Sequence, residues 1–251
     1  MHYLNIIIYK TYADLKAEAA RKYLGVIWWV LEPLLYLAVF YFVFGYVFNR
    51  GGPDYVVFLL CGLVVFKWFA SAIGIGSSSV LANAALMRQV YLPKFIFPIV
   101  SVLSTMVKFL FVLGVFLVFL TLLYGYLNIN WLFIPVLVFV QMLFVGACVG
   151  IIAAIMPFLP DLRMLIESGI TFMLFLSGIF FDINELSQPG RDLLMMNPMA
   201  VIITAYRTVL MDGQLPDLMA IFVVAIVSIL GISIAAFIFH KYDRVYPKVV
   251  H

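Results

Sequence analysis

The chain has 251 residues, of which 66% are hydrophobic and only 11% are charged, and its formal net charge is +3. Soluble domains usually carry about 25% charged residues. This composition excludes a water-soluble globular protein, because a core of this size cannot hide so much apolar surface, and it indicates that lipid is the solvent of the fold.

Six stretches are apolar enough to cross a bilayer, since a helix needs about 20 apolar residues to span the hydrocarbon core. Runs of this length are too long for barrel strands, so the predicted fold class is an all-α polytopic membrane protein with a single transmembrane domain over residues 1–251. The predicted spans are 27–48, 55–78, 99–124, 131–156, 164–181 and 217–240.

The segment before the first span, residues 8–24, carries apolar residues at helical spacing. Tyr12, Leu15, Ala19 and Tyr23 recur on one face with charged residues between them, which predicts an amphipathic helix in the membrane interface. A charged leader that only sets the topology is the alternative. We expect no cleavable signal peptide, because the segment lacks an apolar core and a small-residue cleavage site.

The first span carries Trp29, Tyr36, Phe40 and Phe44 on roughly one face. Aromatic rings can stack on the apolar faces of sugars, and the tips of Tyr and Trp can hydrogen-bond hydroxyl groups. The alternative is that these rings face lipid or pack within the protein.

Four ionisable residues fall inside the predicted spans: Glu32, Lys67, Lys108 and Glu167. Charged residues inside a membrane are functional candidates by default, although lysines can also extend their heads to the interface. Both acids lie near one end of their spans, which weakens the case for an ion-coupled carrier.

The connection over residues 80–98 is expected to form a short helix that Pro93 and Pro98 end before the third span. Such a stiff helix is suited to act as a lever for a partner protein, and an ordinary ordered loop is the alternative. Within the fourth span, Gly146 and Gly150 form a small-xxx-small motif, which predicts a close contact between helices.

The connection over residues 182–210 contains an apolar run that Asn197-Pro198 interrupts. Asn197 and Arg207 make this run a poor span, so it predicts two short helical pieces at the outer side. A seventh crossing is the competing interpretation.

Basic residues in the connections predict the orientation, because they stay preferentially on the cytoplasmic side. The connections assigned to the outer side carry Arg50, Arg191 and Arg207. Both termini are therefore expected in the cytoplasm, on the side that carries the remaining basic residues of the connections: Lys10, Lys16, Arg21, Lys22, Arg88, Lys94, Arg163, Lys241, Arg244 and Lys248.

The sequence contains no phosphate-binding loop, zinc-ligand spacing or nucleophile elbow. We therefore expect a chain that is not itself an enzyme and holds no cofactor or metal. Active transport by such a chain would take its energy from another subunit or from an ion gradient.

Several motifs resemble the membrane subunits of ABC exporters for bacterial polysaccharides, the type-2 ABC exporter superfamily. Residues 21–35, RKYLGVIWWVLEPLL, look like the passage from the family's interface helix into its first span. Residues 58–63, FLLCGL, resemble the start of its second helix, and residues 88–94, RQVYLPK, resemble its coupling segment. Asn197-Pro198 and Tyr206-Arg207 resemble its outer region before the last helix.

This resemblance implies the permease of an ATP-driven exporter that moves a lipid-linked polysaccharide across the bacterial inner membrane. O-antigen is the first expected cargo, capsule the next, and teichoic acid comes behind both. The implied partners are a second copy of the chain, two copies of a separate ATPase that binds ATP and Mg, the glycan and membrane lipid, with no nucleic acid. The alternatives are a drug or small-molecule ABC exporter permease and an ion-coupled secondary carrier.

The resemblance also assigns roles to residues. Those implied to contact the ATPase are Arg88, Gln89, Tyr91, Pro93 and Lys94. Those implied for an outer gate within 182–210 are Asn197, Pro198, Tyr206 and Arg207. The first and fifth spans are implied to line the substrate channel, with Trp29, Tyr36, Phe40, Phe44, Phe172 and Phe175.

Overall fold

The computed structural model describes residues 2–21, 25–47, 54–90, 92–126 and 128–249. All regular structure in these ranges is helical, which confirms the all-α prediction. The α-helices are α1 (His2–Arg21), α2 (Ile27–Phe40), α3 (Tyr55–Gly76), α4 (Ser79–Ala82), α5 (Ala84–Gln89), α6 (Ile96–Phe119), α7 (Ile134–Ile155), α8 (Leu162–Leu176), α9 (Gln188–Met195), α10 (Pro198–Leu210), α11 (Leu218–Tyr242) and α12 (Tyr246–Val249).

Two of these helices continue as π-helix, α2 over Tyr41–Val47 and α6 over Leu120–Tyr124. A 3-10 turn, Ile129–Phe133, leads directly into α7. A second 3-10 turn, Ile183–Glu185, lies before α9.

Four helices in the described part of the chain are long and apolar enough to cross a membrane, namely α3, α6, α7 and α11 with their extensions. They correspond to the predicted spans 55–78, 99–124, 131–156 and 217–240, and they make the chain a multi-pass membrane protein. The predicted spans 27–48 and 164–181 appear as the shorter helices α2 and α8. The pair α9 and α10 would add a fifth long span only if a 104° bend between them were ignored.

Two predicted boundaries were wrong. The third span was expected to start after Pro98, but α6 already begins at Ile96, because a proline is tolerated in the first turn of a helix, where its missing N–H is not needed. The fifth span was expected to reach Phe181, but α8 ends at Leu176. Gly178 adopts a left-handed conformation with φ +67°, which stops the helix.

Helix α3 lies at the centre of the bundle and contacts α2, α6, α7, α8 and α10. The ring of Trp68 stacks on Phe109 of α6 at 4.5 Å between centroids, and Phe69 stacks on Phe144 of α7 at 5.7 Å. The buried amide of Gln141 donates a hydrogen bond to the carbonyl of Val65 over 2.9 Å. Because lipid gives helices no hydrophobic reason to associate, such packing and hydrogen bonding hold α3, α6 and α7 together.

Helices α7 and α11 approach each other through small residues. A Cβ atom added to Gly150 would lie 3.0 Å from the Cβ of Ala235, and one added to Gly231 would lie 2.9 Å from the Cβ of Ala147. Gly150 therefore makes the close helix contact predicted for the Gly146–Gly150 motif. Gly146 does not, since an added Cβ would meet nothing within 4 Å.

The connections gather at two opposite ends of the bundle. At one, here called the Asp54 end, the hydroxyl of Tyr126 donates to the carboxylate of Asp54 over 3.2 Å. At the same end the amide of Asn130 donates to the carbonyl of Gly213 over 2.7 Å. The connections that precede α3, α7 and α11 therefore share this end.

At the other end, here called the Lys94 end, the start of α6 meets the end of α11. The ammonium of Lys94 lies 3.6 Å from the carboxylate of Asp243, and the backbone N–H of Lys94 donates to the same carboxylate over 3.2 Å. The hydroxyl of Tyr246 donates to the carbonyl of Ala154, near the end of α7, over 3.0 Å.

Helix α1 begins at the Lys94 end, where Ile7 packs with Ile96 and Val100 of α6. Farther along, Glu18 forms an ion pair with Lys108 of α6. Glu18 is eleven positions after Ile7, which corresponds to about 16 Å of helix, so α1 follows α6 rather than crossing its end. The helix predicted over 8–24 therefore starts earlier than expected, at His2, and it is described as far as Arg21.

Candidate functional site

A cavity of about 310 Å³ lies between α1, α2, α3 and α6, close to the middle of α3 and α6. Its wall includes two lysines, two glutamates and two tryptophans: Lys67, Lys108, Glu18, Glu32, Trp29 and Trp68. Three of the four intramembrane charges predicted from sequence thus meet at one cavity.

The first charged pair joins α2 to α3. The ammonium of Lys67 lies 2.7 Å from the carboxylate of Glu32, and it also stands 4.8 Å from the centroid of the Tyr36 ring. Lys67 is twelve residues from the start of α3, or about 18 Å along a helix of about 33 Å. The ion pair therefore satisfies two charges near mid-depth, where unpaired charges are costly.

The second charged pair joins α1 to α6. Lys108 and Glu18 are in direct hydrogen-bonded contact, and the Lys108 ammonium stands 5.9 Å from the centroid of the Trp29 ring. The Trp29 ring meets Phe111 edge-on at 6.0 Å between centroids. Trp29 of α2 thus packs beside the pair that fixes α1 to α6.

The cavity wall also contains unused hydrogen-bond donors. The indole nitrogens of Trp29 and Trp68 are buried and have no hydrogen-bond partner within the described part of the protein. Buried polar groups normally have partners in the protein or in ordered water. The charged pairs in its wall make this cavity suited to polar groups rather than to lipid tails, whereas the two indole nitrogens are buried in the packing around it.

The fourth intramembrane charge lies apart from this cavity. Glu167 on α8 is exposed and accepts a hydrogen bond from Arg163, one turn earlier, over 3.1 Å. An exposed pair at this spacing supports a helix by only a few tenths of a kcal/mol. The structure therefore does not group Glu167 with Glu32, Lys67 and Lys108.

The predicted channel residues that the structure describes lie in two places, on α2 and on α8. Trp29 and Tyr36 lie over the two lysines, whereas Phe172 and Phe175 are exposed on α8, at 68% and 51% of their surface. Phe175 also contacts the ring of Phe180 at 5.4 Å between centroids. The side chains of Phe40 and Phe44 lie outside the part of the structure that is described.

Near the Asp54 end, Arg207 of α10 connects three elements. Its guanidinium donates hydrogen bonds to the carbonyls of Gly178 over 2.6 Å, Ile179 over 2.9 Å and Phe58 over 3.2 Å. It also lies 3.4 Å from the centroid of the Phe58 ring, a favourable cation–π geometry. One buried cation thus ties α10 to α3 and to the turn after α8.

Gly62 makes room for this guanidinium. A Cβ atom added to Gly62 would lie 2.9 Å from Nη2 of Arg207 and 3.3 Å from Cγ2 of Ile179. The motif at 58–63 and the Tyr206-Arg207 pair, which are far apart in sequence, therefore meet in space. Both motifs are visible in the sequence, but their contact is not, because only a covariation signal could show it.

The interruption at Asn197-Pro198 begins α10. The side chain of Asn197 accepts from the backbone N–H of Met199 over 3.0 Å, which caps the helix. Its amide donates to the carbonyl of Leu176 over 3.1 Å and to the hydroxyl of Ser177 over 3.3 Å, so the cap is fastened to the end of α8. Pro198 occupies the first turn of α10.

Helix α10 is inserted into the bundle, with most of its residues buried. The side chain of Tyr206 is fully buried, and its ring meets Phe109 edge-on at 6.5 Å between centroids. The region predicted as two short helical pieces does consist of two helices, with a 104° bend between them. Of the two, α10 dips into the protein, whereas α9 has no buried residue.

The predicted coupling segment packs against the ends of α7 and α11 at the Lys94 end. Met87 of α5 belongs to a buried cluster with Phe97, Ala153, Phe239 and Tyr246. Burial, with Asp243 and Tyr242 nearby, raises the pKa of Tyr246 to about 12. The hydroxyl therefore stays protonated and can donate to Ala154. No motif or periodicity in the sequence singles out Tyr246 as the residue that holds this region together.

Within this segment the predicted residues differ in accessibility. Gln89 is exposed, Pro93 is half-buried, and Lys94 is buried in its pair with Asp243. The side chain of Arg88 and the whole of Tyr91 lie outside the described residues. Lys94 therefore fastens the segment to the end of α11.

The chain is similar in sequence to membrane subunits of bacterial exporters. The sequence profile of a family described as ABC-2 type transporter, a membrane-domain family, matches residues 10–211. The O-antigen export system permease protein RfbA of Myxococcus xanthus is 27% identical over 243 residues, which cover 95% of this chain and 93% of the relative. RfbA of Klebsiella pneumoniae is 29% identical over 84% of this chain and 82% of its own length. The polysialic acid transport protein KpsM of Escherichia coli is 23% identical over 81% of this chain and 80% of its own length.

Proposed function

The chain belongs to the ABC-2 type transporter family, and we propose that it is the permease subunit of an ATP-driven exporter of lipid-linked polysaccharide in the bacterial inner membrane. The observation that carries this proposal is the similarity to an O-antigen permease over 95% of this chain and 93% of that relative. The similarity to a polysialic acid transporter is lower in identity and coverage. O-antigen is accordingly the first proposed cargo and capsule the second.

ATP and Mg are assigned to a separate ATPase, present in two copies. The connection from α4 to α6 is the proposed contact for it. Because Met87 packs against Phe239 and Tyr246, and Lys94 is paired with Asp243, force applied to α5 would reach the ends of α7 and α11 directly. This packing supports a lever rather than a passive loop.

A second copy of the chain is the proposed partner for α2 and α8. No residue of α8 is buried, and among the α2 side chains that the structure describes only Pro33 is buried. Two-fold dimers bury the same surface on both copies, so α2 and α8 of the two chains would face each other across a channel. The channel aromatics, Trp29, Tyr36, Phe40, Phe44, Phe172 and Phe175, belong to these two helices and the π-helical extension of α2.

The Asp54 end is proposed to face the periplasm and the Lys94 end the cytoplasm, with both termini cytoplasmic. The basic residues of the connections support this orientation. Asn197, Pro198, Tyr206 and Arg207 would then form an outer gate. The contacts of Asn197 and Arg207 with residues 176–179 support this role, because they tie the gate helix to the end of a channel helix.

The test uses the permease and its ATPase reconstituted together in liposomes. Lipid-linked O-antigen should stimulate ATP hydrolysis and become accessible on the opposite side of the membrane. Arg88→Ala combined with Tyr91→Ala should leave basal hydrolysis in place and remove the stimulation, whereas Lys16→Ala, which removes an exposed charge of α1, should not. If small drugs but not glycan stimulate ATP hydrolysis, the proposed cargo is wrong and a drug exporter replaces it. If glycan crosses the membrane without ATP, the chain is not part of an ATP-driven exporter.

A further inference from the structure

A second, larger cavity of about 1110 Å³ forms a groove on the outside of the bundle near the Lys94 end. It lies between the first half of α6, the second half of α7 and the last turns of α11, and Ile99 and Ile232 in its wall are also exposed. The groove lies apart from the charged cavity between α1, α2, α3 and α6, with which it shares no lining residue. Its wall is predominantly apolar, as shown by Ile99, Leu103, Leu143, Gly146, Ile232 and Ala236.

Two glycines of α7 give the groove its shape. Gly150 lets α7 and α11 touch at Ala235, which closes one side. Gly146, one turn earlier, has no side chain, and an added Cβ would meet nothing within 4 Å. The groove therefore stays open where a larger residue at position 146 would fill it.

The mouth of the groove is positively charged. His240, Lys241 and Arg244 line it and are exposed. Lys241 lies near the rings of Phe237 and Tyr242, at 5.9 and 5.4 Å, and Arg244 has no ion pair or hydrogen bond among the described residues. Asp243, the acid of this wall, is already paired with Lys94. Two positive charges are left for a ligand.

An apolar groove between membrane helices with basic residues at one end matches one class of ligand. Acyl chains fit against the apolar wall, and a phosphate headgroup fits beside Lys241 and Arg244, as in other basic pockets between transmembrane helices. We infer that this groove binds an anionic phospholipid of the leaflet at the Lys94 end. The inference rests on the membrane location of the chain and is independent of its cargo.

A second copy of the chain suits the groove less well. In a two-fold dimer the surface would meet itself, and Lys241 and Arg244 would oppose the same cations of the other copy. Like charges at an interface are unfavourable. The charge at the mouth therefore favours a lipid anion over another copy.

The experiment measures lipid retention by native mass spectrometry of the purified permease–ATPase complex, with no ATP or glycan added. Phosphatidylglycerol and phosphatidylcholine with the same acyl chains are the two probes. Two basic residues near a membrane surface should favour the anionic lipid by about 30-fold. Lys241→Gln combined with Arg244→Gln should remove this preference, whereas Lys16→Gln combined with Arg191→Gln, which deletes the same charge elsewhere, should keep it.

Filling the groove tests its location. Gly146→Leu should lower the retention of both lipids, whereas Gly114→Leu, at a glycine that also has open space around it, should not. Ala236→Leu fills the groove from α11 without changing a glycine, and it decides the result if Gly146→Leu fails to fold. Equal retention of the two lipids by the unaltered complex would overturn the headgroup assignment. Unchanged lipid retention in folded Gly146→Leu or Ala236→Leu would overturn the assignment of the groove as the lipid site. So would a variant complex that keeps its lipid but loses its second copy of the chain.

Discussion

Arg207→Met should destabilise the protein through the turn that follows α8. The guanidinium supplies donors to the carbonyls of Gly178 and Ile179, which lie in a buried turn, while the carbonyl of Phe58 keeps its helical partner in α3. Each buried carbonyl left without a donor costs about 1–3 kcal/mol, so two cost about 2–6 kcal/mol. Removing the buried cation also recovers its desolvation penalty, which places the expected net loss at the lower end, about 2–4 kcal/mol.

Two further variants separate geometry from charge. Arg207→Lys keeps the charge but not the planar fork of donors, so it should lie between the unaltered protein and Arg207→Met. Gly62→Ala should also destabilise, because its Cβ would lie 2.9 Å from Nη2 of Arg207. Gly74→Ala is the matched control in the same helix, where an added Cβ meets nothing within 4 Å, and it should gain up to about 1 kcal/mol from helix propensity.

The assay is thermal unfolding of the purified protein in detergent, followed by circular dichroism. For a chain of this size, the expected loss for Arg207→Met corresponds to a fall in Tm of about 4–16 °C. An unchanged Tm in Arg207→Met would refute the role of the guanidinium as the donor to this turn. Equal gains in Gly62→Ala and Gly74→Ala would refute the close approach at Gly62.

Two other predictions concern an ion pair and a hydrogen bond between helices. Lys67→Met should lower Tm because it leaves Glu32 unpaired. Lys67→Met combined with Glu32→Gln should recover most of that loss. The expected loss of unfolding free energy in the single variant is about 1 kcal/mol, since exposure weakens such pairs and the Glu32 side chain is 40% exposed. Equal Tm values for the single and double variants would contradict the pairing. Tyr246→Phe should lower the free energy of unfolding by about 1 kcal/mol, and Tm with it, because the hydrogen bond to Ala154 is lost. It should also weaken glycan-stimulated ATP hydrolysis more than Tyr242→Phe does. Equal behaviour of the two tyrosine variants would show that the hydroxyl of Tyr246 does not tie the coupling segment to α7.

The long helices were predictable from sequence because the bilayer imposes a length on them. The predicted spans 55–78, 99–124, 131–156 and 217–240 each correspond to one long apolar helix, and the errors there are a few residues at the ends. The predicted start of α6 is a few residues late, because Pro98 lies within the first turn of the helix and does not break it. The residues before it could still join the helix, since a proline in the first turn removes no needed hydrogen bond.

The end of α8 was not predictable from local sequence. The apolar run continues through Ile179, Phe180 and Phe181, so hydropathy gives no reason to stop at Leu176. The carbonyls of Gly178 and Ile179 instead accept hydrogen bonds from Arg207, almost thirty residues later in the chain. A contact at this separation is invisible to periodicity, and only Gly178 marked the turn locally.

The charged cavity was also only partly predictable from sequence. Sequence identified Glu32, Lys67 and Lys108 as costly charges inside the membrane, and the cost itself implied partners. It did not identify Glu18, because this residue was assigned to the surface of an interface helix. The fact that α1 follows α6 places Glu18 beside Lys108, and only the packing of the two helices could show this.

The distribution of polar ties suggests which helices move during transport. Helices α3, α6, α7, α10 and α11 are packed together over long stretches, whereas α2 and α8 are mostly exposed in one chain. In lipid, the loss of apolar contacts between helices costs little, because lipid tails replace them. The Glu32–Lys67 pair therefore contributes to the position of α2, and Asn197 and Arg207 hold the end of α8. A few polar contacts can break and re-form between two arrangements more easily than a packed core can rearrange. We therefore expect these polar contacts to change when the channel opens.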